Sequence, residues 1–288
     1  SLVDPNMATE LSVEPGGRAE EPIRIANPLS VEQSVLRPSL LGSLLVALRS
    51  NLRQNGRVLL YELARTWHGE LNPLPDERRH VGLAVVGPRN PRGWSAGSEA
   101  LDFYDLKGII DALVAAFHVD VSYAPARHAS LHPGRTAEAR IGEQRFGVLG
   151  QLHPTIAARF DVDTTGAQVF VAELDFEVLL QAQQTVLTIR TPSRFPQSDR
   201  DVSFYIDEGT PHGAVEAAIR EAGGPLLESV HLFDVYTGQS NPAGRKSLAF
   251  ALRYRAADRT LEDDEVSAVH GQVESMLRER FGADVRGR

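Results

Sequence analysis

The last third of the chain carries the strongest constraint on the fold, because six segments follow one another there in the order strand, helix, strand, strand, helix, strand. Apolar residues alternate in the short segments and recur with a helical period in the two longer ones. The strands are predicted at 201–207, 227–236, 247–255 and 284–286, and the helices at 211–222 and 262–281. This order predicts a ferredoxin-like domain whose two helices cover one face of the sheet.

The preceding part of the chain contains more strand-like than helical segments. Helices are predicted over 38–55, which carries a stripe of leucines, and over 102–118. Strands are predicted at 57–64, 80–87, 121–125, 135–141, 144–152 and 168–174. Hairpin-length turns between strands indicate an antiparallel sheet with helices packed on it, so the whole chain is of the α+β class. A polar, turn-rich stretch separates the two parts, and we place the domains at 1–188 and 189–288.

Composition excludes several classes of protein. The 288 residues include no cysteine, which rules out disulfides, thiolate nucleophiles and cysteine-ligated metals. The formal net charge of −8 argues against a protein that binds nucleic acid with its whole surface, so any RNA contact would be local. No apolar stretch is long enough for a membrane span, and we expect a cytoplasmic protein. The chain starts at Ser1 without methionine, which favours a fragment of something longer.

Motifs for catalysis are weak. Neither GxxxxGK[ST] nor GxGxxG occurs, and no isolated pair of carboxylates suits acid–base chemistry. His128, His132 and His153 are the only clustered metal-ligand candidates, and they leave a small metal-dependent hydrolase as an alternative. Two of them precede proline, a context typical of turns, so we expect structural histidines held by backbone carbonyls and no metal.

The helix-free face of the ferredoxin-like sheet is the better candidate site. Alternation places Ser203, Tyr205 and Asp207 outward in the first strand. In the neighbouring strands it places Ala249, Ala251, Arg253, Arg255, Val230, Leu232, Asp234 and Tyr236 outward, with Phe233 and Val235 inward. Tyrosines, arginines and small residues on one flat face can stack and hydrogen-bond unpaired bases. The same face also suits a pure protein-interface module, and the pattern leaves both interpretations open.

Six segments resemble the C-terminal part of the bacterial phenylalanyl-tRNA synthetase β subunit, and they occur in the order found in that family. They are 27–41 (NPLSVEQSVLRPSLL), 131–137 (LHPGRTA), 150–154 (GQLHP), 232–238 (LFDVYTG), 244–249 (GRKSLA) and 259–266 (RTLEDDEV). The resemblance implies a class II synthetase-like catalytic domain followed by a ferredoxin-fold anticodon-binding domain. It also implies that the upstream modules of the family are missing from this chain.

The resemblance further implies partners and cofactors. The strand-borne arginine and the glycine-rich element that hold ATP in a class II core cannot be placed in this sequence. The chain is therefore expected to be non-catalytic, with ATP and magnesium used by the holoenzyme at the α subunit, in an α2β2 assembly that aminoacylates the tRNA for phenylalanine. The helix at 38–55 and the strand at 57–64 have the layout of the class II dimerisation motif. We expect Leu40, Leu44 and Leu48 to contact the α subunit, and the alternative is that these leucines form the core.

For the anticodon, the resemblance makes the open face the binding surface. We expect Asp234 and Tyr236 to read the first anticodon base, a guanine, with Tyr205 on the same face. Arg253 and Arg255 would meet backbone phosphates. The alternative is that Tyr236 caps the strand end and Asp234 pairs with a nearby arginine.

Overall fold

The computed structural model describes residues 2–12, 22–71, 74–91, 93–94, 97, 99–162, 166–184, 193–238 and 240–286. The chain divides into two compact units, residues 1–187 and 188–288, each with its own core. Within the described residues, no helix is long and apolar enough to cross a membrane.

The first unit is an antiparallel sheet with helices on both faces. Its strands are β1 (Leu2–Val3), β2 (Val35–Leu36), β3 (Val58–His68), β4 (Asp76–Val86), β5 (Ser122–Pro125), β6 (Leu131–Ile141), β7 (Gln144–Leu152) and β8 (Val169–Asp175). Its α-helices are α1 (Pro5–Glu10), α2 (Leu41–Leu52), α3 (Phe103–Ala116), α4 (Pro154–Arg159) and α5 (Phe176–Ala182). Six strands form the main sheet in the order β3-β4-β8-β7-β6-β5, and β1 pairs with β2.

Helix α2 packs on one face of the main sheet through its leucines. Leu40, Leu44 and Leu48 are almost completely shielded and belong to one core cluster with the sheet. At Gly82 on β4 an added Cβ would lie 2.5 Å from Leu44 Cδ1, so the sheet admits the helix only because this position has no side chain. The burial of these three leucines corrects the prediction that they contact the α subunit. Each is held inside its own chain, where full burial contributes roughly 1.5–3 kcal/mol.

The start of α2 also differs from the prediction. The predicted start is Pro38, whereas the helix begins at Leu41, where Ser39 Oγ accepts a hydrogen bond from Leu41 N at 3.1 Å. Glu173, on β8, adds a second cap: its carboxylate accepts from Leu40 N at 2.8 Å and from Ser39 Oγ at 2.6 Å. A cap delivered from more than 130 residues away has no local sequence signal.

The second unit has the predicted βαββαβ order. Its strands are β9 (Ser198–Asp207), β10 (Leu227–Tyr236), β11 (Arg245–Tyr254) and β12 (Asp284–Val285), and its helices are α6 (His212–Gly223) and α7 (Asp263–Phe281). The sheet order is β10-β11-β9-β12, with antiparallel neighbours throughout. Phe204, Phe250 and Tyr254 fill the core under the two helices. The predicted α+β class and the ferredoxin-like order are confirmed.

Candidate nucleic-acid interface

The helix-free face of the second sheet has a flat floor between two tyrosines. Ser247 pairs with Tyr236 on one side and with Tyr205 on the other, so the three residues form one row across β10, β11 and β9. The two tyrosine backbones are therefore two strand spacings apart, roughly 10 Å. In the next row Ala249 lies between Asp234 and Ser203. The centre of these rows carries only small side chains, and Ser247 and Ala249 are each 7% exposed.

A β-bulge in β10 decides which side chains reach this face. Val230 and Leu232 pair with core residues of β11, and Asp234 pairs with Ala249 one step further along, so Phe233 is the extra residue. Val230 and Leu232 pack into the core, which corrects their predicted outward orientation. Phe233, predicted to be buried, is 53% exposed. The bulge reverses the alternation, and Asp234 therefore shares the open face with Ala249.

Asp234 is an exposed carboxylate beside the floor. Among the residues that the structure describes, no lysine or arginine lies within ion-pair distance of it, so the alternative in which it pairs with a nearby arginine is not what the geometry shows. Ala249 faces it across the ladder with only a methyl group. The carboxylate oxygens are thus open to donors from a ligand.

The Tyr236 side chain packs against the hairpin loop that follows it. Its hydroxyl accepts a hydrogen bond from Ser240 Oγ at 3.2 Å, and Asn241 Nδ2 donates to its backbone oxygen at 2.6 Å. A Cβ at Gly238 would lie 2.0 Å from the Tyr236 hydroxyl oxygen, so the ring occupies the space that glycine leaves. These contacts agree with the alternative that Tyr236 closes the strand end, yet the side chain remains 45% exposed.

Tyr205 has a cation over its ring. The Arg286 guanidinium carbon lies 4.1 Å from the ring centroid, and Arg286 N donates to Ser203 O, which fixes the arginine beside the face. The sequence predicted a strand at 284–286 but not which strand it pairs with. Pairing with β9 is what brings Arg286 to Tyr205, and a single sequence does not reveal the partner of an edge strand.

Arg253 and Arg255 are both engaged within the chain. Arg253 Nε donates to Asp199 Oδ1 at 2.9 Å, and this hydrogen bond lowers the pKa of the Asp199 carboxyl and raises that of the guanidinium. Arg255 Nη2 donates to Gln197 at 2.7 Å, and its Nε lies 3.4 Å from Glu228. Both guanidinium groups would have to exchange an internal partner for a phosphate.

The three histidines predicted as possible metal ligands close local turns in the first unit. The Nδ1 atoms of His128, His132 and His153 accept from the backbone amides of Ser130, Gly134 and Thr155 respectively. Their partners are therefore amides and not the carbonyls that were predicted. His132 and His153 stack with ring centroids 6.4 Å apart. In the part of the chain that the structure describes, no three His, Asp or Glu side chains are arranged to hold a metal ion, which does not favour the hydrolase alternative.

Comparison with protein families gives two matches in chain order. A model described as "Phenylalanyl tRNA synthetase beta chain CLM domain" matches residues 1–176. A model described as "Ferredoxin-fold anticodon binding domain" matches residues 193–286, the segment that forms the open face.

Curated relatives cover the whole chain. It is 41% identical over 292 residues to a phenylalanine–tRNA ligase beta subunit of Geobacillus kaustophilus, with 100% of this chain and 35% of the relative aligned. The identity is 39% to the beta subunit of Symbiobacterium thermophilum, with 99% of this chain and 32% of the relative aligned. It is 36% to that of Syntrophotalea carbinolica, with 99% and 36% aligned. The chain thus spans about a third of the length of these relatives.

Proposed function

The chain belongs to the phenylalanyl-tRNA synthetase β-chain family, and from that premise we propose that it serves a phenylalanine–tRNA ligase as a non-catalytic part that binds the tRNA anticodon and supports assembly. The observation that carries the RNA role is the open face of the second unit. There an exposed carboxylate, Asp234, borders a flat floor with Tyr205 and Tyr236 beside it. That face belongs to the segment matched by the anticodon-binding family model.

Stacking supplies the first part of the binding energy. Unpaired bases of an anticodon loop present π faces, and stacking of one base on an aromatic side chain contributes roughly 1–3 kcal/mol. Tyr236 offers its exposed ring at the end of β10. Tyr205 offers a ring already covered by Arg286, so a base would stack on the guanidinium or displace it.

Asp234 supplies selectivity for guanine. The Watson–Crick edge of guanine presents two adjacent N–H donors, and an ionised carboxylate can accept both. Adenine presents an acceptor in the same place, which a carboxylate repels. Because no described cation neutralises Asp234, its oxygens remain acceptors for the base.

Phosphate contacts are local. With a net charge of −8 the chain repels RNA over much of its surface, so the arginines near the face carry the attraction. Arg253 and Arg255 can serve if a phosphate replaces Asp199 and Glu228 as their partners. This exchange has an energetic cost, and we expect modest affinity with strong dependence on salt.

Assembly and catalysis involve the rest of the enzyme. The partner is the α subunit in an α2β2 assembly, where ATP and magnesium are used, and the site of action is the cytoplasm. The support is the family membership together with the ATP-holding elements that could not be placed in this sequence. Amino-acid-dependent pyrophosphate exchange by the purified chain would contradict the non-catalytic role.

The decisive experiment compares two tRNAs that carry guanine or adenine at the first anticodon position. The chain is expected to bind the guanine form more tightly, by about tenfold or more for a bidentate charge-assisted contact. Asp234→Asn should shrink this ratio towards one. Asp264→Asn, on α7 at the opposite side of the sheet, is the matched control and should retain it. An undiminished preference for guanine in the Asp234 variant would contradict the role of Asp234 in selecting guanine.

Salt dependence separates RNA binding from the protein-interface alternative. If phosphates are contacted, the logarithm of the tRNA association constant falls linearly with the logarithm of salt concentration. Absence of tRNA binding at low salt would leave the open face as a surface for protein alone.

A further inference from the structure

Arg286 follows β12 and lies on the open face of the second unit, beside Tyr205. Its guanidinium carbon is 4.1 Å from the centroid of the Tyr205 ring, and its side chain is exposed. Asp284, which pairs with Tyr205 across the ladder, lies beyond ion-pair distance of Arg286. In the part of the chain that the structure describes, no carboxylate pairs with Arg286 and no acceptor takes a hydrogen bond from its side chain. Its N–H donors are therefore available to a ligand.

The arginines in β11 and directly after it are bound within the chain. Each has an acceptor, which is the Gly282 backbone oxygen for Arg245, Asp199 for Arg253, and Gln197 and Glu228 for Arg255. A phosphate that binds Arg253 or Arg255 must separate it from a carboxylate, so the gain in charge attraction is offset by the loss of an ion pair. Arg286 gives up no ion pair that the structure describes.

Two contacts hold Arg286 in place before any ligand binds. Its backbone N–H donates to Ser203 O at 2.9 Å, which continues the pairing of β12 with β9 by one residue. Its guanidinium group makes a cation–π contact with the Tyr205 ring. Because the side chain is already ordered, it loses less conformational entropy when it binds. The tyrosine therefore acts as a support for the arginine.

A phosphate is the ligand that this guanidinium fits. Its N–H donors lie at the edge of a planar group, in a fork that matches two phosphate oxygens. A base stacked on the group would use its π face and leave these donors to water. A local cation also matters in this chain, because its net charge of −8 repels RNA over much of the surface.

We propose that Arg286 binds a backbone phosphate of the RNA and that Tyr205 is its positioning residue. Tyr205 then supports the arginine and does not itself stack on a base. The inference rests on the proposed function and deepens it, since it assigns the main phosphate contact to Arg286 and not to Arg253 or Arg255.

The test measures tRNA association constants of the chain at several salt concentrations. Each phosphate contact to single-stranded RNA contributes about 0.7 to the slope of the logarithm of the constant against the logarithm of salt concentration. Arg286→Gln should lose this amount, and Arg286→Lys should retain it because lysine keeps the charge. Arg286→Gln should weaken the guanine and adenine forms of the tRNA equally, because a phosphate contact carries no base information.

Arg280→Gln is the matched control. Arg280 also lies near an aromatic ring, with its guanidinium carbon 5.7 Å from the Phe281 centroid, but it is on α7 and pairs with Glu221. This variant should change neither the association constant nor the slope. Arg253→Gln should lower the slope by less than Arg286→Gln does, and the reverse order would overturn the assignment.

Tyr205→Leu tests the positioning role. It should weaken tRNA binding about two- to fivefold, as expected for loss of an exposed cation–π contact, and keep the salt slope because the guanidinium remains. In the Arg286→Gln background the same change should have little further effect. A full effect in that background would show that the ring stacks on a base and would overturn the positioning role. Thermal unfolding of each variant checks that it folds.

Failure of this inference and failure of the proposed function give different results. If the wild-type chain does not bind tRNA, the proposed function is contradicted. If the wild type binds and Arg286→Gln keeps the full salt slope, only the role of Arg286 is overturned, whether or not the affinity falls. The preference for guanine that depends on Asp234 is measured separately and does not decide this result.

Discussion

Tyr254 shows how a single polar atom is accommodated in the core of the second unit. The residue is fully buried, and its hydroxyl lies 3.1 Å from His270 Nδ1, with the two rings edge to face. Burial raises the pKa of the Tyr254 hydroxyl to about 12. The phenol is therefore held neutral in the fold, while in the unfolded chain it ionises near its ordinary pKa of about 10.

Tyr254→Phe is expected to lower the free energy of unfolding by about 1 kcal/mol at neutral pH, because the variant loses the hydroxyl's hydrogen bond and about 1 kcal/mol is the net contribution of such a bond. A group whose pKa is raised by folding contributes stability below its unfolded pKa and loses it as pH rises through the folded value. Ionisation of the phenol in the unfolded chain lowers the wild-type free energy of unfolding between pH 10 and 12 by about 2 kcal/mol, so the gap to the variant should close and then reverse in that range.

Urea unfolding followed by circular dichroism at each pH provides the measurement. Tyr205→Phe, which removes a hydroxyl on the opposite face of the same sheet, is the control and should keep the wild-type decline. A gap that stays constant up to pH 12 would show that the Tyr254 hydroxyl contributes no such alkaline dependence.

At the scale of elements, β10 shows where sequence reasoning succeeds and where it stops. Turn residues and alternation gave its bounds, because a strand between two turns is a local feature. The inward and outward assignment failed for Val230, Leu232 and Phe233, because a bulge adds one residue through pairing with β11. Asp234 lies on the predicted face only because the bulge reverses the alternation after Leu232. Counted on from the buried Val230, plain alternation would have placed Asp234 in the core.

Contacts between distant residues were the other part that sequence could not supply. Glu173 capping α2 and Arg286 covering Tyr205 both join residues far apart in the chain. By contrast, the capping of α3 by Asp102 and Asp105 is a short-range pattern of the kind that a sequence can reveal.

Deleting Phe233 tests the bulge. Removal of the extra residue is expected to leave β10 in register with β11 on both sides, so the free energy of unfolding should change by less than about 1.5 kcal/mol. Deleting His231 from the regular ladder is the matched comparison. It shifts the preceding part of the strand by one residue and turns Val230 to the open face, at a cost of about 1.5–3 kcal/mol.

The Phe233 deletion also has an expected effect on RNA binding. Asp234 should stay opposite Ala249 without Phe233, so the preference for guanine over adenine in the tRNA comparison should persist. If the Phe233 deletion destabilises the chain as much as the His231 deletion does, Phe233 is not a dispensable insertion in the ladder.

At the scale of the whole molecule, the two units differ in which surface their helices leave uncovered. In the second unit it is one face of the sheet, and this face carries polar side chains. The first covers both faces of its central strands but ends in β3, an edge strand of the main sheet. Leu59, Tyr61 and Leu63 alternate there on one face and are 40%, 80% and 49% exposed. Such a row on an edge strand is a template for association.

This row is where we expect the α subunit to bind, since α2 uses its leucines for the chain's own core. It lies on the strand that follows α2, within the predicted dimerisation layout. Tyr61→Asp places a charge in the middle of the row. Co-purification with the α subunit should fall by about tenfold or more, because a buried unpaired charge costs several kcal/mol at an interface. The unfolding of the chain alone should change little, since the Tyr61 side chain is largely in solvent.

Tyr104→Asp is the matched control, an aromatic residue 74% exposed on α3, and it should leave co-purification intact. Leu48→Ala serves as the opposite control: it should destabilise the chain by about 2–5 kcal/mol, the range for a large-to-small change in a core. Because that variant acts on folding, any loss of α-subunit binding it causes should track the unfolded fraction. Normal binding by the Tyr61 variant, together with lost binding by the Tyr104 variant, would move the interface from β3 to α3.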